Sequence, residues 1–384
     1  MKILFLIEEL EMTGASKSLL ALLEALKGSE YHIGVFLFSH DGVLTKDIPA
    51  NVDILPRNLA YWVERAPLKC AVVGALKCGR VDLAIWRIVI GFARRFGWRF
   101  PGWFMLPTIE GDWDVACAYC DGLIVPTMVR KVNAKKKLTW IHCDYTKYPQ
   151  SKEVYEAFDQ VDGAVSVSWD SIAQFKKAIG REYKKPLYVV HNIIDAEDCR
   201  KRAEEGSAPE FSGGVKIASV GRISWPKGFD LIPEMAQKLK HPFEWLIVGD
   251  GPTRETLQAK ADAMGVGEYV KFVGQRENPM PYVKTADIVV IPSRFEGWGM
   301  TLSEALVLGK QVVATDLPVF REQVTDGVNG LLCPLNDVDA YAAAINRLMI
   351  DSELRVRLSN EAVKYPFTKA RVVEEFMSVI DSVG

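Results

Sequence analysis

The sequence predicts an α/β protein built from two doubly wound parallel-sheet domains. Three observations predict it. Short, near-continuously apolar runs alternate with longer helical patterns, as expected of strands covered on both faces and joined by right-handed crossovers. The alternation comes in two series, separated by the polar stretch Ala203 to Gly214 with its Glu, Ser, Pro and Gly residues. The 384 residues correspond, at about 150 per domain, to two or three domains.

In the first series the strands are expected at Lys2–Ile7, His32–Phe38, Val52–Leu55, Val115–Ala118, Leu138–Ile141, Ala164–Val167 and Leu187–Val190. In the second they are expected at Val215–Val220, Trp245–Val248, Val270–Val273, Ile288–Ile291 and Gln311–Ala314. Helical patterns cover Ser16–Lys27, Asp230–Lys240, Arg254–Met264, Leu302–Leu308 and Val338–Met349. The expected domains are residues 1–202 and 215–365, with 203–214 as linker. Two such domains leave a cleft between them, and ligands bind beyond the carboxyl ends of the strands. No short-period repeat is visible.

Charge nearly balances, with 47 Lys+Arg against 49 Asp+Glu, and apolar residues make up 49% of the chain. Collagen-like, low-complexity and wholly disordered chains are excluded, as is a uniformly basic nucleic-acid binder. The longest charge-free runs are about ten residues, such as Phe100 to Ile109, half the roughly twenty that a spanning helix needs. The apolar N-terminal run meets Glu8 and Glu9 too soon for a signal peptide. A cytoplasmic enzyme is the expectation. The seven scattered cysteines do not form a disulfide framework. Cys117 and Cys120 stand three apart on an expected strand, Asp114 to Cys120, so they point to opposite faces and read as buried filler rather than as a metal pair.

One stretch breaks the pattern. Arg57 to Trp103 carries nine cations (Arg57, Arg65, Lys69, Lys77, Arg80, Arg87, Arg94, Arg95 and Arg99) against Glu64 and Asp82. Trp86, Phe92, Phe96, Trp98, Phe100, Trp103 and neighbouring Phe104 are interleaved. A basic helix with aromatics on its other face suits peripheral contact with an anionic membrane. The alternative is an insertion packed on the first sheet, with Arg stems on apolar surface and heads in water. No nucleic-acid motif accompanies the patch.

The loops after strands carry the candidate chemistry. Ser293 to Leu306 follows one strand and runs into a helix. Gly297 and Gly299 let backbone N–H groups approach a ligand, and the helix start near Thr301 favours an anion. Glu296 precedes this turn and Glu304 lies about one turn into the helix; carboxylates accept hydrogen bonds from hydroxyls, as on a sugar or ribose. A Gly turn with a carboxylate near a helix start is the structural alternative. Gly221 to Asp230 places Arg222 and Lys227 on a loop after a strand, a fork of donors and a point charge suited to a diphosphate. Gly249-Asp250-Gly251 and Phe272-Val273-Gly274 end the next strands, the latter able to offer backbone groups to a base edge. Thr13-Gly14-Ala15 permits close approach in the first domain but lacks a dinucleotide fingerprint, so NAD is not indicated. His142 and His191 each end a strand, while His32, His40 and His241 have no supporting context.

With these residues in view, the chain resembles GT-B fold retaining glycosyltransferases of family 4, over nearly its whole length. The resemblance is most specific at Glu296 and Glu304, separated by seven residues, and extends through Gly221-Arg222, Lys227-Gly228, Gly249-Asp250-Gly251 and Gly309 to Asp316. Asp121-Gly122, Ala134 to Lys137 running into Trp140-Ile141-His142, and His191 to Asp195 resemble the bacterial capsular and exopolysaccharide members. The resemblance implies two Rossmann-like domains facing a cleft, with residues 366–384 returning to the N-terminal, acceptor-binding domain. It implies that Arg222 and Lys227 hold the donor diphosphate and that Glu304 binds the ribose. Glu296 with Gly297, Trp298 and Gly299 would hold the sugar. Met300, Thr301 and Leu302 would lie near the phosphates, and Gly14 and His142 would approach the donor sugar from the first domain. The implied activity is transfer of a hexosyl group from a UDP-linked sugar to a lipid-linked surface polysaccharide or glycan acceptor, with no cofactor and no metal. A 2-epimerase of the same fold and a non-catalytic sugar-nucleotide-binding protein are the alternatives.

Overall fold

The computed structural model describes residues 1–96, 106–206, 211 and 213–383. The chain divides into two compact units, one of Met1–His191 with the segment from Val372 on, the other of Asn192–Arg371.

The first unit holds β1 (Lys2–Ile7), α1 (Gly14–Ala25), β2 (His32–Leu37), β3 (Asp53–Ile54), α2 (Leu59–Arg65), α3 (Leu68–Lys77) and α4 (Val81–Arg95). It continues with β4 (Ile109–Ala118), α5 (Ile124–Lys131), β5 (Val132–Ile141), α6 (Lys152–Phe158), β6 (Gly163–Ser166), α7 (Trp169–Ile179) and β7 (Leu187–Val189). Its strands form one parallel sheet in the order β3-β2-β1-β4-β5-β6-β7. Ile3 to Leu6 on the central strand are fully buried, as a strand covered on both faces requires.

The second unit holds α8 (Ala196–Glu204), β8 (Val215–Val220), α9 (Ile232–Gln237), β9 (Phe243–Val248), α10 (Arg254–Ala263), β10 (Val270–Gly274), α11 (Met280–Thr285) and β11 (Ile288–Ile291). After these come α12 (Met300–Val307), β12 (Gln311–Thr315), α13 (Pro318–Arg321), β13 (Leu331–Cys333), α14 (Val338–Ile350) and α15 (Ser352–Ala362). Its strands are again all parallel, in the order β10-β9-β8-β11-β12-β13. The last helix, α16 (Lys369–Val383), carries Phe376, which stacks on Phe5 of β1 at 5.9 Å, and Glu375, which accepts from the His191 main-chain N–H at 3.0 Å and pairs with its ring at 2.8 Å.

In each sheet the strand order reverses once, between β1 and β4 and between β8 and β11. Those reversals are where open parallel sheets bind ligands, beyond the strands' carboxyl ends. Several expected elements differ in extent. β4 and β5 begin well before their apolar cores, because their first halves form a polar ribbon in which Asn133 donates to Asp112 and Lys135 to Asp114. β4 also ends at Ala118, so Cys120 lies past the strand rather than on its opposite face. β13 has only three residues, too short to stand out as an apolar run. The stretch from Asp230 opens as a short 3-10 turn and becomes α-helical only at Ile232. The division between units falls at His191, before α8; α8 packs on α11, and Asn278 donates to the Arg202 carbonyl at 2.7 Å. Part of the expected linker, residues 207–210 and 212, lies outside the described residues.

Candidate functional site

In the second unit, three loops at the carboxyl ends of β8, β9 and β11 press together backbone to backbone. Gly228 has φ +67°, and a Cβ there would lie 1.9 Å from the Pro292 carbonyl oxygen. A Cβ on Gly249 would lie 1.9 Å from the Gly221 oxygen, and one on Gly251 would lie 2.1 Å from that of Ile223. Only glycine permits this approach. Thr253 reinforces it, its hydroxyl donating to the Ile223 carbonyl at 3.0 Å.

A guanidinium locks the arrangement. Arg294 forks onto both Asp230 oxygens at 2.7 Å, donates to the Trp225 carbonyl at 2.7 Å and to Asn336 at 2.9 Å, and lies 5.0 Å over the Trp225 ring. A planar fork on a carboxylate fixes direction as well as distance. Desolvation works against the Asp230 charge, but the Arg294 contact wins and holds its carboxyl below the usual range.

This frame positions the charged candidates. Lys227 Nζ donates to Glu296 Oε1 at 2.6 Å, and the Ser293 hydroxyl donates to the same oxygen at 2.8 Å. Both side chains are partly buried, with 28% and 13% exposed, so the pair is poorly screened but still open to solvent. Arg222 is exposed and makes no side-chain hydrogen bond or ion pair among the described residues. Gly297 is half-buried and Trp298 buried, its ring edge-on to Phe367 at 4.9 Å.

Gly299, at φ +89°, turns the chain into α12; a Cβ there would lie 2.5 Å from Phe320. No side chain caps this helix, and its first turn holds no acid. The main chain of Met300 and Thr301 therefore begins the helix at its positive end. Leu302 faces the core, and Glu304, in the next turn, is 7% exposed. Val273 is half-buried on β10, where Arg254 donates to the neighbouring Phe272 carbonyl at 3.2 Å.

A buried polar network beneath the turn was not anticipated from sequence. Gln323 donates to the Trp298 carbonyl at 2.6 Å and accepts from Ser303 at 2.7 Å and from the Tyr365 hydroxyl at 3.1 Å. Gln323 is 3% exposed and lies in a stretch without glycine or charge patterning. Arg294 and Asp230 stood at the edges of the two motifs, and their opposite charges were the available signal of a lock.

In the first unit, Gly14 is exposed and opens α1, capped by Thr13, whose hydroxyl oxygen accepts from the Ser16 N–H at 3.2 Å. His142 directly follows β5. One side of its ring bonds to the Tyr119 main chain, while Nε2 is buried without a partner among the described residues. Burial lowers the imidazole to about 4, and the Tyr119 bond offsets part of that. Alongside it, Asp121 accepts from the Tyr145 hydroxyl and from Cys143 Sγ at 3.3 Å. Burial lifts the Asp121 carboxyl to about 6 against these bonds and one from the His142 N–H. Glu8, after β1, is also raised by burial, although Arg65 approaches it at 3.2 Å. Gly14 and His142 belong to the first unit and the other candidates to the second. Part of the basic-aromatic stretch read from sequence, residues 97–103, lies outside the described residues.

Two doubly wound parallel sheets, each reversing its strand order once, are the architecture of the GT-B fold. Residues 201–365 match the family described as glycosyl transferases group 1, a segment that contains every loop of the cluster. Among curated proteins, the chain is 29% identical to the lipopolysaccharide core biosynthesis glycosyltransferase LpsE of Rhizobium meliloti, over 52% of this chain and 59% of that one. It is likewise 29% identical to the alpha-D-kanosaminyltransferase of Streptomyces kanamyceticus, over 49% and 52%. The matched regions thus span less than two thirds of these relatives' length. Among solved structures, HepE of Anabaena in complex with UDP and glucose is similar over 100% of both chains, at TM-score 0.71 and 18% identity. The lipopolysaccharide outer core galactosyltransferase WaaB is similar over 100% of this chain and 99% of that one, at TM-score 0.66 and 17% identity. The chain resembles GT-B glycosyltransferases of bacterial polysaccharide biosynthesis.

Proposed function

We propose that the protein is a retaining glycosyltransferase that moves a hexosyl group from a UDP-linked sugar to a growing, lipid-linked surface polysaccharide or glycan acceptor. The observation that carries this reading is the loop cluster of the second unit. A lysine–glutamate pair, a free-standing arginine and an uncapped helix start converge on the reversal point of one sheet, with Glu304 a turn further in. The family match over the same segment and the names of the relatives support it.

Breaking a sugar–phosphate bond develops negative charge on the leaving diphosphate. Arg222, Lys227 and the start of α12 stabilise that charge as it forms, in a site whose donors are already oriented. These fixed cations supply what a divalent metal would supply elsewhere, so the reaction needs neither metal nor cofactor. Glu304 accepts from the ribose hydroxyls. Glu296 and the main chain of Gly297, Trp298 and Gly299 hold the sugar, while Met300, Thr301 and Leu302 lie by the phosphates and Gly249, Gly251 and Val273 by the nucleoside. For the first unit the reading assigns Gly14 and His142 to substrate contact. The acceptor oxygen bonds to the anomeric carbon on the face the diphosphate leaves, and the departing phosphate oxygen takes the acceptor proton. No side chain acts as nucleophile.

The test is incubation with UDP-sugars and a lipid-linked glycan acceptor, with the product's anomeric configuration read by NMR. Retention supports the proposal. An inverted product contradicts the mechanism. An epimerised sugar nucleotide formed without acceptor, or donor binding without turnover, contradicts the transfer.

A further inference from the structure

The turn into α12 is held from behind by one short segment. α13 carries Phe320, and Gln323 lies three residues on, its main-chain N–H donating to the Phe320 carbonyl at 3.0 Å. Residues at that spacing stand side by side on a helical turn. Phe320 packs where a Gly299 Cβ would stand, 2.5 Å away, and the Gln323 side chain donates to the Trp298 carbonyl at 2.6 Å. Both bear on the peptide that joins Trp298 to Gly299. That peptide is trans, as is every peptide bond among the described residues, so its carbonyl and its N–H point in opposite directions. The carbonyl is turned in to Gln323. The Gly299 N–H is turned away from it and meets no acceptor among the described residues, although Gly299 is buried. A buried N–H without an acceptor is rare in folded proteins, and at a helix start a bound ligand can supply one.

The Gln323 amide is itself fixed. The Trp298 carbonyl only accepts, so Nε2 must face it. Oε1 then accepts from the Ser303 hydroxyl at 2.7 Å and from the Tyr365 hydroxyl at 3.1 Å, whose proton is shared with Ser303 Oγ at 2.9 Å. Burial holds the Tyr365 phenol above its ordinary value, so it remains a donor. Ser303, Gln323 and Tyr365 are all buried, and Asn329 donates to the Gln323 main-chain carbonyl at 3.0 Å. A satisfied polar network in a low dielectric specifies one arrangement. An apolar side chain could fill this space; only a donor can set the direction of the peptide.

We propose that Gln323 is a positioning residue for the donor: by holding the Trp298 carbonyl inward, it keeps the Gly299 N–H aimed at an oxygen of the donor's sugar. The claim rests on the donor site proposed above and adds a determinant that lies outside its loops. Diphosphate affinity is set elsewhere, at Arg222, Lys227 and the start of α12, so loss of Gln323 separates sugar from nucleotide. Wild type and variants are titrated calorimetrically with UDP and with UDP-glucose, UDP-galactose and UDP-N-acetylglucosamine. The Kd of the tightest-binding sugar nucleotide is divided by that of UDP. Gln323→Met keeps the side chain's length and removes the donor; the ratio should rise about three- to tenfold, with UDP itself bound within about twofold of wild type. Should Gln323→Met fold poorly, the triple variant Ser303→Ala, Gln323→Met, Tyr365→Phe removes the hydroxyls that it strands, and the same rise is expected. Tyr365→Phe alone keeps the amide on Trp298, so its ratio should stay within about twofold of wild type even where its melting temperature falls. An unchanged ratio in the folded Gln323→Met or triple variant overturns the proposal. So does a rise in Tyr365→Phe equal to that in Gln323→Met, which makes the network structural support alone. So does a wild type that binds UDP but none of the sugar nucleotides. A wild type that binds no UDP instead removes the donor-site reading, and this proposal with it.

Discussion

The two units present their charged residues at equivalent places, the carboxyl ends of strands at and beside the reversal of sheet order, but treat them in opposite ways. In the second unit the charges are paired and held in a frame: Arg294 on Asp230, Lys227 on Glu296. In the first, desolvation dominates at partly buried groups. Asp121 is lifted to about 6, His142 lowered to about 4, and Glu8 raised despite Arg65. Contact with an opposite charge favours the charged form, as at Asp230, whereas desolvation favours the neutral one. A diphosphate belongs with the first arrangement; a neutral sugar hydroxyl suits the second.

The largest expected effect breaks the charged side of this contrast. Lys227→Ala removes a cation from the proposed diphosphate site and should lower transfer turnover about 100- to 1,000-fold, with little change in melting temperature. Next, Gly228→Ala strikes the frame rather than the charges. Its Cβ would collide with the Pro292 carbonyl at a positive φ, and urea unfolding should show a loss of about 3 kcal/mol.

The buried side is tested by pH. His142 has a folded-state value of about 4, below its ordinary 6.5, so the unfolded chain takes up its proton first and stability falls as pH drops through that interval. Asp121 has the opposite sign: held at about 6, its contribution is present at low pH and lost as pH rises from 4 to 6. In wild type the two largely cancel. His142→Phe should unmask Asp121, raising stability at pH 4 relative to pH 7 by up to about 3 kcal/mol compared with wild type. Denaturant melts at both values check this, and an unchanged pH slope contradicts it. The smallest effect is Gln323→Ala, which loosens the turn at Trp298. It should weaken donor binding about three- to tenfold, through a hydrogen-bond loss of about 1 kcal/mol, while the intact Lys227–Glu296 pair preserves selectivity.

This contrast also explains what the sequence made legible. The second unit could be read because close backbone approach demands glycine at fixed offsets, and Gly221, Gly228, Gly249 and Gly299 mark the loops directly. The strands could be read because burial on both faces leaves apolar runs, as at Lys2–Ile7, Val215–Val220 and Ile288–Ile291, whose limits coincide with β1, β8 and β11. The polar halves of β4 and β5 were hidden because their residues are largely exposed and polar, so the main-chain ladder there leaves no apolar run. Gln323 and Tyr365 were hidden because a buried network depends on where distant segments meet, not on local spacing. The environment of Asp121 was hidden for the same reason: Tyr145 and Cys143 reach it from another strand end.

The central claim is that the loop cluster of the second unit is a nucleoside-diphosphate site. Calorimetric titration of the purified chain with UDP, GDP, ADP and NAD tests it most directly. The account predicts selective binding of UDP, weakened at least a hundredfold in Lys227→Ala. Binding of NAD alone, or UDP binding indifferent to Lys227→Ala, would contradict it.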